Sequence, residues 1–238
     1  MAPRLHRGNT GMTRALSAVV AALLLLPAVS SPGLGAQNDC VTLEDFKASR
    51  VGEFPAGWKA RKDAGEQVYA VAEERGVRFL RAVSRELGIQ AGRETKDWDL
   101  AARPMLAWSW RPRQFPKGAD ERTSKNDSAL AVYLLVEHSR VTGPKAVKYI
   151  WSERVPVGTH LTSNNGLTQV RVLRTGPAAR GGWMEERVNV LEDFQKYFDA
   201  KEPPKPEGIA VLTDADDTKS SAAGDYANFR ACAAAARS

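Results

Sequence analysis

Short strand-like runs recur along the chain with turn-forming residues between them, and this pattern limits the possible folds more than any other feature. The runs cover residues 41–46, 67–72, 77–84, 105–111, 130–137, 146–152, 169–174, 184–189, 209–213 and 226–233. Many short strands at such spacing are typical of a β-sandwich or a β-barrel. We therefore predict a mostly β fold.

Apolar residues at period 2 indicate which strand faces are buried. Three runs carry such residues on a single face: Leu106, Trp108 and Trp110; Val147, Tyr149 and Trp151; and Val77, Phe79 and Val83. We expect these three faces to cover a common core. The run at 130–136 is apolar on both faces, which predicts a central strand.

One short helix is predicted near residues 190–198. Asn189 can accept hydrogen bonds from the first turn, and Glu192 follows three residues later. An apolar stripe at helical spacing begins at Val190 and ends at Phe198. Pro203 then prevents a long continuation, because proline lacks the backbone N–H that a helix interior needs.

Residues 1–36 have the layout of a secretion signal. The first 14 residues contain three arginines, Arg4, Arg7 and Arg14. An apolar run follows at 15–29, and small and turn-forming residues then continue up to Ala36. Pro27 interrupts the run before it reaches the roughly 20 apolar residues of a membrane-spanning helix. We expect cleavage after Ala36, no membrane span thereafter, and a single β-sandwich domain at 37–238 that is periplasmic or secreted.

The balance of charge argues against nucleic acid as a partner. The net charge of +6 includes the three arginines of the predicted signal, so the rest of the chain is close to neutral. Its lysines and arginines alternate with acids, whereas phosphate binding needs clustered bases.

Two cysteines, Cys40 and Cys232, lie near opposite ends of the predicted domain. In an exported protein an even number of cysteines favours a disulfide, with two separate buried thiols as the alternative. In the chain-entropy model a bridge across so long a loop contributes roughly 4 to 5 kcal/mol.

Several familiar catalytic motifs are absent from the sequence. It contains no glycine-rich phosphate loop, no serine nucleophile elbow and no paired-cysteine metal site. These observations leave open whether the chain is an enzyme, and they give no reason to expect a cofactor.

The most concentrated acidic feature is the segment from Asp214 to Thr218, which also contains Asp216 and Asp217 and follows an apolar strand. Carboxylate oxygens suit calcium or magnesium, so the three aspartates are candidate metal ligands. A carboxylate pair at this point could equally hold sugar hydroxyls or divide acid and base roles. The alternative is a solvated turn whose short side chains satisfy their own backbone.

Tryptophans are the candidate sugar-stacking residues. Trp110 and Trp151 lie on strand faces, whereas Trp183 follows two glycines in a predicted loop. Strand aromatics at period 2 are more often core, so Trp183 is the better candidate for an exposed platform.

Five phrases stand in order along the chain: 51–58 (VGEFPAGW), 108–110 (WSW), 149–151 (YIW), 186–190 (ERVNV) with Asp193, and 213–218 (TDADDT). Together they resemble an uncharacterised family of exported bacterial proteins, domain of unknown function 3047. This resemblance covers nearly all of the predicted domain and implies no activity.

More loosely, the runs at 43–46 and 226–229 are similar to the first and last strands of galactose-binding-like jelly-roll domains. The resemblance implies a two-sheet antiparallel jelly-roll-like sandwich with those strands side by side, which agrees with the cysteine placement. It also implies a possible structural calcium, and glycan binding on a sheet or a loop rim.

The leading hypothesis is a non-catalytic module that binds a carbohydrate or another component of the cell envelope. The candidate ligand-binding residues are Trp183, Trp110, Trp151, Asp214, Asp216 and Thr218. One alternative is an envelope glycan hydrolase that uses the carboxylates of Asp214, Asp216 and Asp217. Another is a protein-binding scaffold, which predicts an exposed apolar patch instead of a polar cleft.

Overall fold

A computed structural model describes residues 39–177 and 182–234, so the predicted signal at 1–36 lies outside the described residues. The strands are β1 (Cys40–Glu44), β2 (Trp58–Ala60), β3 (Tyr69–Glu74), β4 (Val77–Arg85), β5 (Ala91–Glu94), β6 (Met105–Gln114), β7 (Leu130–Ser139), β8 (Gly143–Ser152), β9 (His160–Ser163), β10 (Thr168–Thr175), β11 (Met184–Asn189), β12 (Pro206–Leu212) and β13 (Ser221–Cys232). The helices are α1 (Val190–Phe198) and two short 3₁₀ segments, Asp63–Gln67 and Asn164–Gly166. The predicted helix and all ten predicted strands are present, while β2, β5 and β9 were not predicted.

The strands form two sheets. The six-stranded sheet has the order β11-β6-β13-β4-β3, with β1 also paired to β13, and the seven-stranded sheet has the order β2-β5-β12-β7-β8-β10-β9. Strand neighbours are antiparallel except β8 and β10, which run parallel. The prediction of a two-sheet, mostly antiparallel jelly-roll-like sandwich is confirmed, and β7 is the central strand that its two apolar faces predicted.

The first and last strands are neighbours. Cys40 lies opposite Cys232 in the β1–β13 register. The two residues form a disulfide with a Cα–Cα distance of 4.0 Å, which confirms the predicted bridge. The bridge joins the first and last strands of the described fold, which are paired neighbours within the six-stranded sheet.

Aromatic side chains from both sheets meet in the core. Trp108 and Trp110 of β6 point inward, and their ring centroids lie 5.7 Å from Tyr149 and 5.6 Å from Trp151 of β8 respectively. All four side chains are at most 2% exposed. The inward faces predicted for β6 and β8 are therefore correct.

The inward face predicted for β4 is wrong. Leu80 belongs to the core between the sheets, whereas Val77 and Val83 on the opposite face are 52% and 40% exposed. Phe79 shares that outer face but is still buried, because the Trp183 ring packs edge-on against it at 5.4 Å. Trp183 thus shields Phe79 from solvent on the outer face of the sheet. Sequence periodicity alone cannot distinguish such a residue from a core residue.

Helix α1 begins as predicted. The Asn189 Oδ1 atom accepts a hydrogen bond from the Glu192 backbone N–H at 3.0 Å. Asp193 in the first turn accepts hydrogen bonds from the Tyr149 hydroxyl (2.9 Å) and from Arg171 (2.8 Å), which fastens the helix to the seven-stranded sheet. Within the described ranges, no helix is long and apolar enough to cross a membrane.

Candidate functional site

The outer face of the seven-stranded sheet carries a groove made of four adjoining depressions, with volumes of about 470, 540, 560 and 330 Å³. Neighbouring depressions share lining residues. Gln90 and Leu135 join the first to the second, Gly143 joins the second to the third, and Lys148 joins the second to the fourth. We call this feature the outer groove.

Strands β7, β8 and β12 supply the floor of the outer groove. Tyr133 and Lys148 are cross-strand partners in the β7–β8 register, so their side chains stand on the same outer face. Leu135, Ala146 and Leu212 form apolar parts of the floor between the polar side chains. The second apolar face of β7 therefore becomes the base of a surface depression.

Three polar side chains in the groove are almost fully desolvated. Tyr133, Lys148 and Asp214 are 7%, 8% and 7% exposed. The Lys148 ammonium lies 5.6 Å from the centroid of the Tyr133 ring. Among the described residues, the Asp214 Oδ1 atom is buried and has no hydrogen-bond partner. Buried polar atoms of this kind gain most from a ligand that supplies hydrogen bonds.

The electrostatics of these three groups reflect their burial. Burial raises the pKa of Asp214 to about 8, an effect that Lys148 opposes and that the carboxylates of Asp127 and Asp216 reinforce. Burial also raises the pKa of Tyr133. For Lys148, burial lowers the pKa, but Tyr133 and Asp214 outweigh it and the pKa is raised. Lys148 therefore carries a positive charge in the groove at neutral pH.

The loop between β6 and β7 forms one wall of the groove. Glu121 and Asn126 from this loop line it. The Glu121 carboxylate accepts hydrogen bonds from Ser152 (2.6 Å) and Ser128 (3.2 Å), and burial raises its pKa. This loop therefore contributes polar side chains to the rim of the groove.

The predicted aspartate segment folds around a residue that sequence reasoning missed. Asp127 is fully buried, and its carboxylate accepts hydrogen bonds from the backbone N–H groups of Asp217 (3.1 Å) and Thr218 (2.8 Å) and from the Thr218 hydroxyl (2.5 Å). Carboxylate oxygens of Asp127, Asp216 and Asp217 lie within 4.8 Å of one another. We call Asp127, Asp214, Asp216 and Asp217 the acidic turn. No sequence signal connects Asp127 to it, because the contact spans about 90 residues.

The predicted ligand residues of the aspartate segment do not all lie in the outer groove. Of the acidic turn, Asp214 lines the outer groove, whereas Asp216 and Asp217 do not. The Thr218 hydroxyl is engaged with Asp127 inside the turn. The metal assignment for Asp214, Asp216 and Asp217 stays a prediction.

Trp110 and Trp151 were predicted to bind a ligand, and this prediction is wrong. The two residues are buried, with exposed fractions of 0% and 2%. Their indole N–H groups donate to Glu186 (2.9 Å) and to the Gly176 carbonyl (2.8 Å). These rings pack between the sheets, so they cannot stack on a ligand.

Trp183 is 36% exposed, but it lies on the opposite side of the molecule from the outer groove. It packs on Phe79 at the outer face of the six-stranded sheet, and the Arg111 guanidinium lies 4.4 Å from the centroid of its ring. There it lines a separate depression of about 460 Å³ with Glu74 and Asn228. Trp183 and Asp214 therefore line different depressions, and the binding role of Trp183 stays a prediction.

Three comparisons with known proteins place the chain. A family described as a protein of unknown function (DUF3047) matches residues 56–230. No curated protein matches the chain.

Solved structures similar to this one include the family 11 carbohydrate-binding module from Clostridium thermocellum in complex with a β-1,3-1,4-mixed-linked tetrasaccharide. Its identity is 7% and its TM-score 0.47, with 82% of this chain and 96% of that chain covered. The family 30 carbohydrate-binding module of cellulosomal cellulase Cel9D-Cel44B of C. thermocellum has 9% identity and a TM-score of 0.42, covering 72% and 84%. The Emp47p carbohydrate recognition domain has 9% identity and a TM-score of 0.41, covering 85% and 99%.

Proposed function

The chain belongs to the DUF3047 family, and we propose that it is a binding module that holds an extended carbohydrate in the outer groove. One observation carries the proposal: four adjoining depressions that share lining residues extend across the seven-stranded sheet. The groove crosses the strands from β5 to β9, a width of roughly 24 Å at the usual strand spacing of about 4.8 Å. A chain-like ligand fits such a shape better than a compact one.

The lining of the groove matches the chemistry of a sugar. Apolar patches at Leu135, Ala146 and Leu212 suit the C–H faces of pyranose rings, and the groups between them donate or accept hydrogen bonds. The Tyr133 hydroxyl and the Lys148 ammonium are both nearly desolvated, so hydrogen bonds to ligand hydroxyls are strong there. Bases and acids both line the groove, which suits a neutral ligand better than a polyanion.

A module of this kind needs an oxidising environment. The Cys40–Cys232 disulfide persists in the periplasm or outside the cell, where the cytosolic reductants are absent. The proposed ligand is therefore a polysaccharide of the cell envelope or of the surroundings.

Binding without hydrolysis is the better supported activity. Of the three aspartates that a hydrolase would use, Asp214 alone lines the groove. Release of reducing ends from a bound glycan during prolonged incubation would instead assign hydrolysis to the protein.

A glycan array followed by calorimetry tests the proposal. We expect Tyr133→Phe to weaken binding of the selected glycan about fivefold to tenfold, the usual effect of losing one hydrogen bond of about 1 kcal/mol. Lys148→Met keeps the length of the side chain but removes its charge, and we expect at least tenfold weaker binding.

Trp183→Ala is the matched control, because its ring lies outside the groove. Its affinity should equal that of the unmodified protein. If Trp183→Ala lost glycan binding while Tyr133→Phe and Lys148→Met kept it, the binding site would lie on the six-stranded sheet instead.

A further inference from the structure

We propose that the acidic turn binds a divalent cation, and that the cation is Ca²⁺. Three of its carboxylates, from Asp127, Asp216 and Asp217, bring oxygens within 4.8 Å of one another. Oxygens this close can share one ion. A site built mainly of protein carboxylates favours Ca²⁺, because Mg²⁺ usually keeps several waters and is held by only one or two carboxylates.

A fourth carboxyl group supports the site independently. Asp214 is 7% exposed, and its Oδ1 atom has no hydrogen-bond partner among the described residues. This atom and the Oδ1 atom of Asp216 converge beside Gly88. A Cβ atom on Gly88 would collide with the former and lie 2.9 Å from the latter. A buried carboxyl oxygen that no protein donor occupies, directed towards the acidic cluster, is available as a fourth ligand for a cation.

Other buried acids in the described part of the chain have arginine partners. Asp193 pairs with Arg171 at 2.8 Å, and Glu44 pairs with Arg93 at 2.6 Å. Asp225, with no exposed surface, accepts ion pairs from three arginines.

The acidic turn differs from these acids. Within residues 39–177 and 182–234, no lysine or arginine nitrogen lies within 4.0 Å of its four carboxylates. The bases that act on it do so over longer distances: Lys148 on Asp214, and Lys219 on Asp217. Asp127 and Asp214 are buried, whereas Asp216 is half-buried and Asp217 is exposed. A buried carboxylate without a compensating charge is costly, and a divalent cation supplies that charge at one point.

The turn is held in shape without the cation. Asp127 accepts three hydrogen bonds from Asp217 and Thr218, and the Asn126 side-chain amide donates to the Asp217 Oδ2 atom at 2.8 Å. These hydrogen bonds use only part of the lone pairs of Asp127 and Asp217, so the remaining lone pairs are available to a metal, together with the Asp216 carboxyl group beside Gly88. Oxygen ligands without nitrogen or sulfur select a hard cation such as Ca²⁺ and disfavour zinc or copper.

Calorimetric titration of the chelator-treated, disulfide-bonded protein with CaCl₂ tests the site, and the measurement needs no glycan. We expect saturable binding near one ion per chain, with weaker binding of MgCl₂. At a calcium concentration about 100 times the Kd, the Tm should rise by roughly 5 to 10 °C. No heat and no Tm shift at millimolar calcium, or binding of Mg²⁺ as tight as that of Ca²⁺, would overturn the proposal.

Two variants and a control locate the ion. Asp216→Asn should weaken calcium binding at least tenfold, and Gly88→Ala should do the same without changing any charge, because the new Cβ displaces two of the ligands. Asp199→Asn is the control: it makes the same chemical change at an exposed residue with positive φ, a conformation that asparagine accepts. Circular dichroism establishes that each variant is folded. Unchanged affinity in both folded site variants would place the ion elsewhere and refute the assignment.

Discussion

Replacing Cys40 and Cys232 together with alanine should remove a large part of the stability of the fold. The two residues are separated by 192 positions in sequence. A crosslink over that distance lowers the entropy of the unfolded chain by an amount worth about 5 kcal/mol at 25 °C. Native disulfides usually contribute about 2 to 5 kcal/mol. We therefore expect a loss of about 3 to 5 kcal/mol, out of the roughly 5 to 15 kcal/mol typical of a folded protein.

Equilibrium unfolding in urea measures this loss. The fluorescence of the buried tryptophans of β6 and β8 reports on the core, and the midpoint should fall in the double variant. Unmodified protein treated with a reductant is the control and should unfold at the same midpoint as the variant.

A loss of this size requires that β1 and β13 unfold together with the core as one cooperative unit. A loss below about 1 kcal/mol with an unchanged denaturant dependence would refute it, because the unfolded chain would then gain no freedom from the missing bridge. A smaller dependence on urea would instead show that β1 separates before the core unfolds.

Three further perturbations have defined outcomes. Asp225→Asn removes the negative charge that three arginines surround, so we expect a loss of about 3 to 5 kcal/mol in urea unfolding. Asn189→Ala removes the cap of α1 and should lower stability by about 1 kcal/mol, measured in the same way. Burial raises the pKa of Glu121 above the ordinary value of 4.5. The folded state therefore binds more protons than the unfolded state just above that pH, and stability falls as pH rises through this window. Glu121→Gln should flatten that fall in unfolding curves recorded across the window, whereas a fall of equal size in the variant would contradict the assignment.

The elements of the fold were predictable where the signal is local. Alternation in β6 and β8, the two apolar faces of β7 and the Asn189 cap each depend on a few neighbouring residues. The short strands β2, β5 and β9 could not be predicted, because three or four residues are too few to show a period.

The grouping of the predicted ligand residues in space could not be read from the sequence. Whether Trp183 and Asp214 share a cavity depends on which sheet each flanking strand joins, and no local pattern encodes that choice. Asp127 joins the acidic turn through contacts about 90 residues apart in sequence. Tyr133 was the one usable signal for the groove. Alternation places it on the face of β7 opposite to the core face, where an apolar strand facing solvent would not require an aromatic residue.

Mapping a bound glycan by NMR tests the central claim most directly. Backbone amide shifts of isotope-labelled protein would be followed during titration with the glycan selected on the array. We predict that the largest changes fall on β7, β8 and β12 and on the loop around Asn126, all at the outer groove. Changes concentrated around Trp183 on the six-stranded sheet, with none at Tyr133 or Lys148, would contradict the assignment of the groove as the binding site.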